Sequence, residues 1–104
     1  MPVMSGSHIY NRVVDTLVGY GKVYERGQLL CEVVYKSLVE QEVGRPPSNP
    51  SQEVEVGYKY TGDVMQCRLP IGQELELELE GGRRIKVRAI TESKFEGEEA
   101  NYQP

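Results

Sequence analysis

Side chains suited to acid–base or nucleophilic catalysis are scarce in this chain. His8 is the only histidine, and it precedes the first clear secondary-structure pattern, where a general base is not held firmly against a nucleophile. Cys31 and Cys67 lie far apart without a CxxC spacing, which is typical of neither a metal site nor a disulfide framework and predicts two buried free thiols. We therefore predict that the chain is not an enzyme.

Metal and cofactor sites are not predicted either. One histidine and two cysteines do not supply a zinc-ligand spacing, and two aspartates, Asp15 and Asp63, do not make a calcium loop. The glycines in "GYGKVYERG" (19–27) fit neither GxxxxGK[ST] nor GxGxxG, the two common phosphate-binding spacings. The sequence thus predicts no metal ion and no cofactor.

The overall charge is acidic, but basic residues are concentrated near the end of the chain. A net charge of −4 argues against a general nucleic-acid binder, because such binding depends on neutralising phosphates. A local basic row is nevertheless a candidate site for an anionic, nucleotide-like small molecule or for single-stranded nucleic acid. This alternative function would use Arg68, Arg84, Lys86 and Arg88.

Two segments near the end of the chain, "ELELELE" (74–80) and "RRIKVRAI" (83–90), alternate apolar and charged residues, which is typical of half-buried strands. A two-residue turn would put the apolar stripe of one strand beside the charged stripe of the other. A three-residue loop aligns both stripes, and we predict a type I turn followed by Gly82 in the left-handed region. The expected pairs are Leu77–Ile85, Leu75–Val87, Glu78–Arg84, Glu76–Lys86 and Glu74–Arg88.

The first half of the chain has a similar pattern around "ERG" (25–27). A three-residue loop there predicts the pairs Val23–Leu29, Gly21–Cys31, Gly19–Val33 and Leu17–Tyr35. Gly19 and Gly21 then lie on the inner face of a long strand, where missing side chains permit strong coiling and favour a small barrel.

A third hairpin is predicted in the middle of the chain, with strands on either side of a type II′ turn at Gly62 and Asp63. The pattern at 7–17 fits either a helix or a strand, and we favour a strand that begins near Val13. The predicted fold is all-β: a small antiparallel barrel or sandwich of about six strands, built from consecutive hairpins as a meander.

The predicted domain organisation is simple. Residues 1–12 form an N-terminal segment, with a short helical turn as one alternative, and residues 13–92 form a single β domain with a long Pro-rich loop at 41–52. Residues 93–104 are acidic and lose the alternation, which predicts a disordered tail. No apolar run approaches the about 20 residues of a membrane span, and no signal peptide is evident, so we expect a cytoplasmic protein without a membrane partner.

The outer face of the first hairpin is too apolar for a merely solvated surface. Either the tail or the Pro-rich loop covers it, or a second copy of the chain or another protein does. We therefore predict a non-catalytic protein-binding or adaptor module, with a homodimer as one form of it. The candidate interface residues are Tyr20, Lys22, Tyr24, Leu30, Val34 and Leu38.

Overall fold

The computed structural model describes residues 8–45, 54–100 and 102. They form a closed antiparallel barrel with the strand order β1-β2-β3-β6-β5-β4, which confirms the predicted fold class. The six described strands are β1 His8–Glu25, β2 Gln28–Arg45, β3 Val54–Met65, β4 Glu74–Glu78, β5 Arg84–Ala89 and β6 Lys94–Glu99.

The connection between β3 and β4 distinguishes this barrel from the predicted meander. Strands β1 to β3 form one three-stranded meander and β4 to β6 form another. Between them the chain crosses an end of the barrel, so that β4 pairs with β1 and β6 pairs with β3. An up-and-down barrel would instead close its last strand on its first.

The predicted register of the β4–β5 hairpin is confirmed at all five pairs. The backbone N–H of Leu79 donates to Arg83 O at 2.7 Å and that of Gly82 to Leu79 O at 2.9 Å, which closes the three-residue loop. Gly81 and Gly82 both have positive φ, 101° and 96°. The prediction of a type I turn is therefore wrong, since a positive φ at the third turn position belongs to type II.

The β1–β2 hairpin has a different loop from the one predicted. Arg26 and Gly27, with φ of 52° and 80°, form a two-residue turn, as in type I′. The extra residue of a β-bulge, Leu30, then restores the alternation, so the inner face of β2 is as predicted from Cys31 onwards although each partner is displaced by two residues. Leu29, predicted to face inward opposite Val23, instead pairs with Tyr24 and is exposed. The observed pairs are Val23–Cys31, Gly21–Val33, Gly19–Tyr35 and Leu17–Ser37.

The predicted third hairpin is wrong, because β3 continues through Gly62 and Asp63. A Cβ at Gly62 would overlap the carbonyl oxygen of Lys36 and lie 2.7 Å from Cζ of Phe95. The glycine thus permits close packing against β2 and β6 and makes no turn. The sixth strand is β6, so the disorder predicted from residue 93 is wrong for 94–99, where Phe95 is buried in the core.

Both ends of the long hairpin extend further than predicted. Strand β1 begins at His8, so neither a start near Val13 nor a helical turn at 8–12 is correct. Residues 41–45 of the predicted Pro-rich loop belong to β2, because β1 pairs with them on one side and β3 with most of them on the other. The remainder of that loop, 46–52, and the N-terminal residues 1–7 lie outside the described residues.

The barrel interior is filled by side chains from all six strands and from the connections between them. Its buried apolar members are Val23, Val33, Tyr35, Val39, Tyr60, Val64, Leu69, Leu75, Leu77, Leu79, Ile85, Val87, Ala89 and Phe95. Along each strand these inward-facing side chains alternate with outward-facing ones, and they fill the barrel as a packed core. The candidate sites therefore lie outside this core.

Cys31 and Cys67 form a disulfide with their Cα atoms 6.2 Å apart, so the prediction of two free thiols is wrong. Cys31 lies near the start of β2, and Cys67 follows β3, which runs antiparallel to β2 and pairs Met65 with Val34. The two thiols meet only because the barrel brings these strand ends together, and their spacing along the chain carries no sign of it.

Two carboxylates accept hydrogen bonds from backbone N–H groups of β1 in the part of the strand that lies beyond the short β1–β4 ladder. The ladder covers only Lys22–Tyr24 on β1. The N–H of Tyr20 donates to Oε2 of Glu80 at 3.0 Å, and that of Thr16 donates to Oδ1 of Asp15 at 2.8 Å. Side chains therefore accept hydrogen bonds that a neighbouring strand would otherwise accept.

Candidate functional site

Outward-facing side chains of β1, β2 and β3 form a row of apolar groups. Tyr20 pairs with Val34 and Val34 pairs with Met65, so the three side chains lie next to one another across three strands. Tyr20 is 73% exposed and Met65 66%, while Val18, two residues before Tyr20 on the same face, is 65% exposed. We call Val18, Tyr20, Val34 and Met65 the apolar stripe.

The other predicted interface residues are only partly associated with this stripe. Leu38 is exposed two outward positions beyond Val34, and Leu30 is exposed at the bulge. Tyr24 belongs elsewhere, because it pairs with β4 and its ring lies 4.0 Å beneath the guanidinium of Arg84. Met65 was not among the predicted interface residues, because the sequence placed it beyond the turn of the predicted third hairpin, away from the first hairpin.

Charged residues of both signs border the apolar stripe. Lys22 pairs with Glu32 across β1 and β2. Lys36 pairs with Asp63 across β2 and β3. An apolar centre with a mixed charged border is the common composition of a protein–protein interface.

The predicted basic row lies on β5 between two acidic strands. Arg84 contacts Glu78 at 3.3 Å and Glu76 at 3.7 Å, and Arg88 lies 3.7 Å from Glu74. On the opposite side, Arg88 pairs with Glu96 of β6. Three members of the predicted row, Arg84, Lys86 and Arg88, thus share one face of β5 and have acidic neighbours. The fourth, Arg68, lies in the β3–β4 connection.

A groove of about 620 Å³ runs beside this basic row, next to the tip of the β1–β2 hairpin. The charged side chains lining it balance in number: Arg26, Lys59, Lys86 and Arg88 against Glu74, Glu76, Glu96 and Glu98. An anion in the groove would therefore meet repulsive carboxylates as well as attractive cations.

A polar and aromatic cluster occupies the end of the barrel that is formed by the β4–β5 loop. The hydroxyl of Tyr60 donates to Oε1 of Glu99 at 2.5 Å, and Nη2 of Arg83 donates to both groups, at 3.1 and 2.7 Å. Burial, reinforced by the hydrogen bond to Glu99, raises the pKa of Tyr60 far above its ordinary value. The hydroxyl of Tyr60 therefore stays protonated and donates its hydrogen bond to Glu99.

Tyr102 packs against the same cluster, although the sequence placed it in a disordered tail. Its ring centroid lies 5.7 Å from that of Tyr58 and 5.3 Å from Cζ of Arg83, and its hydroxyl donates to Oδ2 of Asp15 at 2.5 Å. Burial and then this hydrogen bond raise the pKa of Tyr102 to about 12. The same hydrogen bond is the main cause that lowers the pKa of Asp15.

The raised pKa of Tyr102 predicts a loss of stability in alkali. Because the folded-state pKa of about 12 exceeds the ordinary value of 10.0, the stabilisation is complete below pH 10.0 and is lost as the pH rises towards 12. Unfolding by urea at a series of pH values should therefore show a steeper alkaline loss for the wild type than for Tyr102→Phe. Identical pH profiles for the two proteins would contradict the raised pKa of Tyr102 in the folded state.

The described part of the chain has neither a cluster of metal-ligating side chains nor a membrane-spanning helix. No group of three or more His, Cys, Asp or Glu side chains there is placed to hold a metal ion. Within the same residues, no helix has the length and apolarity needed to cross a membrane.

Comparison with known proteins finds no matching family, no similar curated protein and no similar solved structure. The surfaces of the protein itself are therefore the basis on which a function can be proposed.

Proposed function

We propose that this chain is a non-catalytic protein-binding module and that its partner packs on the apolar stripe. The observation that carries the proposal is the row of Tyr20, Val34 and Met65 across three strands, with Tyr20 and Met65 both well exposed. Aromatic residues and methionine are enriched in protein–protein interfaces. Tyrosine in particular buries a large area while losing little conformational freedom.

The position of β6 argues against the possibility that the C-terminal tail covers the apolar stripe, and so favours an intermolecular partner. Residues 94–99 pair with β3 and β5 in the barrel wall and so are not free to fold back over the stripe. The border supports the proposal too, since Lys22, Lys36, Glu32 and Asp63 together carry no net charge. A second copy of the chain, despite its net charge of −4, would not be repelled at such a border.

The double variant Tyr20→Ser/Met65→Ser tests this interface. Ile71→Ser is the matched control, because Ile71 is 61% exposed but lies in the β3–β4 connection outside the stripe. We expect the wild type and the control to have the same oligomeric mass in sedimentation and to capture the same partners. The double variant should either have a lower oligomeric mass or fail to capture at least one of those partners. Identical mass and partners for all three proteins would contradict the proposal.

The alternative function is the binding of an anionic small molecule or single-stranded nucleic acid. Its support is that Lys59, Lys86 and Arg88 line one groove. The balanced carboxylates make it the weaker of the two proposals. It requires a thermal shift with nucleotides or oligonucleotides that diminishes steeply with salt, and the absence of any shift at low salt would remove it.

We also propose that the chain works in an oxidising compartment, in place of the cytoplasm predicted from the sequence. Structural disulfides such as Cys31–Cys67 are rare in cytosolic proteins of mesophiles, where glutathione and thioredoxin keep thiols reduced.

A further inference from the structure

The ring of Tyr102 lies among side chains that come from separate parts of the fold. Tyr58 and Tyr60 belong to β3, Arg83 precedes β5, and Asp15 belongs to β1. Tyr102 itself follows β6 and is half-buried against the core. We call Asp15, Tyr58, Tyr60 and Arg83 the tyrosyl site.

Contacts that do not involve Tyr102 hold much of this site in place. Arg83 is fixed by Oε1 of Glu99 at 2.7 Å and by the hydroxyl of Tyr60 at 3.1 Å. The hydroxyl of Tyr58 accepts a hydrogen bond from Nε2 of Gln41 at 3.3 Å. The site is therefore largely formed before Tyr102 enters it, which lowers the cost of binding a ring there.

The chemistry of the site fits a phenol. Tyr58 and Tyr60 meet the Tyr102 ring at 5.7 and 6.2 Å between centroids, within the range of favourable tilted and edge contacts. The guanidinium of Arg83 attracts the ring face. Oδ2 of Asp15 accepts a hydrogen bond from the hydroxyl, and a ring without a donor cannot make this charge-assisted bond.

We infer that this cluster is a binding site for a tyrosyl side chain, which Tyr102 of the same chain occupies, and that a tyrosine exposed on another polypeptide segment binds there when Tyr102 withdraws. Tyr102 is then an intramolecular competitor of the external ligand. Its effective concentration is high, because β6 ends at Glu99, only a few residues away. The site is separate from the apolar stripe, and the inference does not depend on the proposed interface.

The test uses Tyr102→Ala, which removes the occupant and leaves the site. The probe is a blocked peptide Ala-Asn-Tyr-Gln, the sequence of residues 100–103, titrated by calorimetry with the ring resonances of Tyr58 and Tyr60 as a second readout. The variant should bind it saturably and at least about tenfold more tightly than the wild type. The matched peptide with Phe in place of Tyr should bind about tenfold more weakly than the Tyr peptide, because it cannot donate to Asp15.

A second variant covers the case in which Tyr102→Ala does not fold. Tyr102→Leu keeps apolar contact with Tyr58 and Tyr60 while it lacks the phenol, and it should show the same preference for the Tyr peptide. Adding Asp15→Asn to either folded variant should reduce that preference severalfold. Failure of a folded variant to bind, equal affinities for the two peptides, or a preference that survives Asp15→Asn would each overturn the inference.

Discussion

Reduction of the Cys31–Cys67 disulfide should lower the free energy of unfolding by about 4 kcal/mol. The disulfide joins residues 36 positions apart, and a loop of that length loses much conformational freedom in the unfolded chain when its ends are linked. The native barrel has other contacts at the same place: Leu69 is buried, and its N–H donates to Glu92 O at 2.8 Å. We therefore expect the reduced protein to fold, with an unfolding midpoint at lower urea concentration.

The double variant Cys31→Ser/Cys67→Ser provides the control for this experiment. Its stability should match that of the reduced wild type, and a reducing agent should not change it further. If reduction leaves the wild-type unfolding midpoint where it was, the disulfide does not constrain the unfolded chain.

The substitution Gly62→Ala should destabilise the barrel by about 3 kcal/mol, at the upper end of the usual cost of overpacking. The added methyl would overlap the carbonyl oxygen of Lys36, while Cζ of Phe95 would lie 2.7 Å away and Cα of Ser37 2.9 Å away. Lys36 and Ser37 are paired with both β1 and β3, and Phe95 and Ser37 are fully buried, so none of them can move easily. The expected measurement is a lower midpoint of chemical unfolding.

Gly57→Ala on the same strand is the matched control. At Gly57 the nearest atom to an added Cβ would be the carbonyl oxygen of Glu99 at 3.2 Å, a tight contact that a small shift can relieve. We expect a loss below about 1 kcal/mol there. Shortening Phe95 to Leu should cost less in the Gly62→Ala background than in the wild type, because it removes the contact with Cζ while the backbone overlap remains. Equal losses at both glycines would show that crowding at Gly62 is unimportant.

Alternation in the sequence determined which side chains face inward but did not always determine their partners. In the β4–β5 hairpin, the regular Leu and Glu positions and an odd loop left one register, which is the observed one. Between residues 17–23 of β1 and 31–37 of β2 the predicted faces were correct and the register was wrong by two residues, whereas Leu29, before the bulge, lies on the outer face. Shifts of two residues keep every side chain on its face, so the extra residue Leu30 could not be recognised from the pattern.

The remaining errors come from segments in which local signals and tertiary packing disagree. Gly62 and Asp63 have the composition of a turn, yet the glycine is needed for close approach to Phe95. Strand β6 has only one buried side chain, Phe95, among charged neighbours, so it shows no clear alternation. Met65 and Tyr102 were therefore missing from the predicted sites, since their surroundings depend on β3 and β6.

The carboxylates of Asp15 and Glu80 influence how this protein meets other chains. A free strand edge is a template for uncontrolled pairing and aggregation, and the N–H groups of Thr16 and Tyr20 would be part of that template. Because Asp15 and Glu80 accept hydrogen bonds from them, an approaching strand gains less there. The barrel is thereby biased towards association through its faces, where side-chain identity can discriminate between partners, and away from backbone pairing that would accept almost any extended chain.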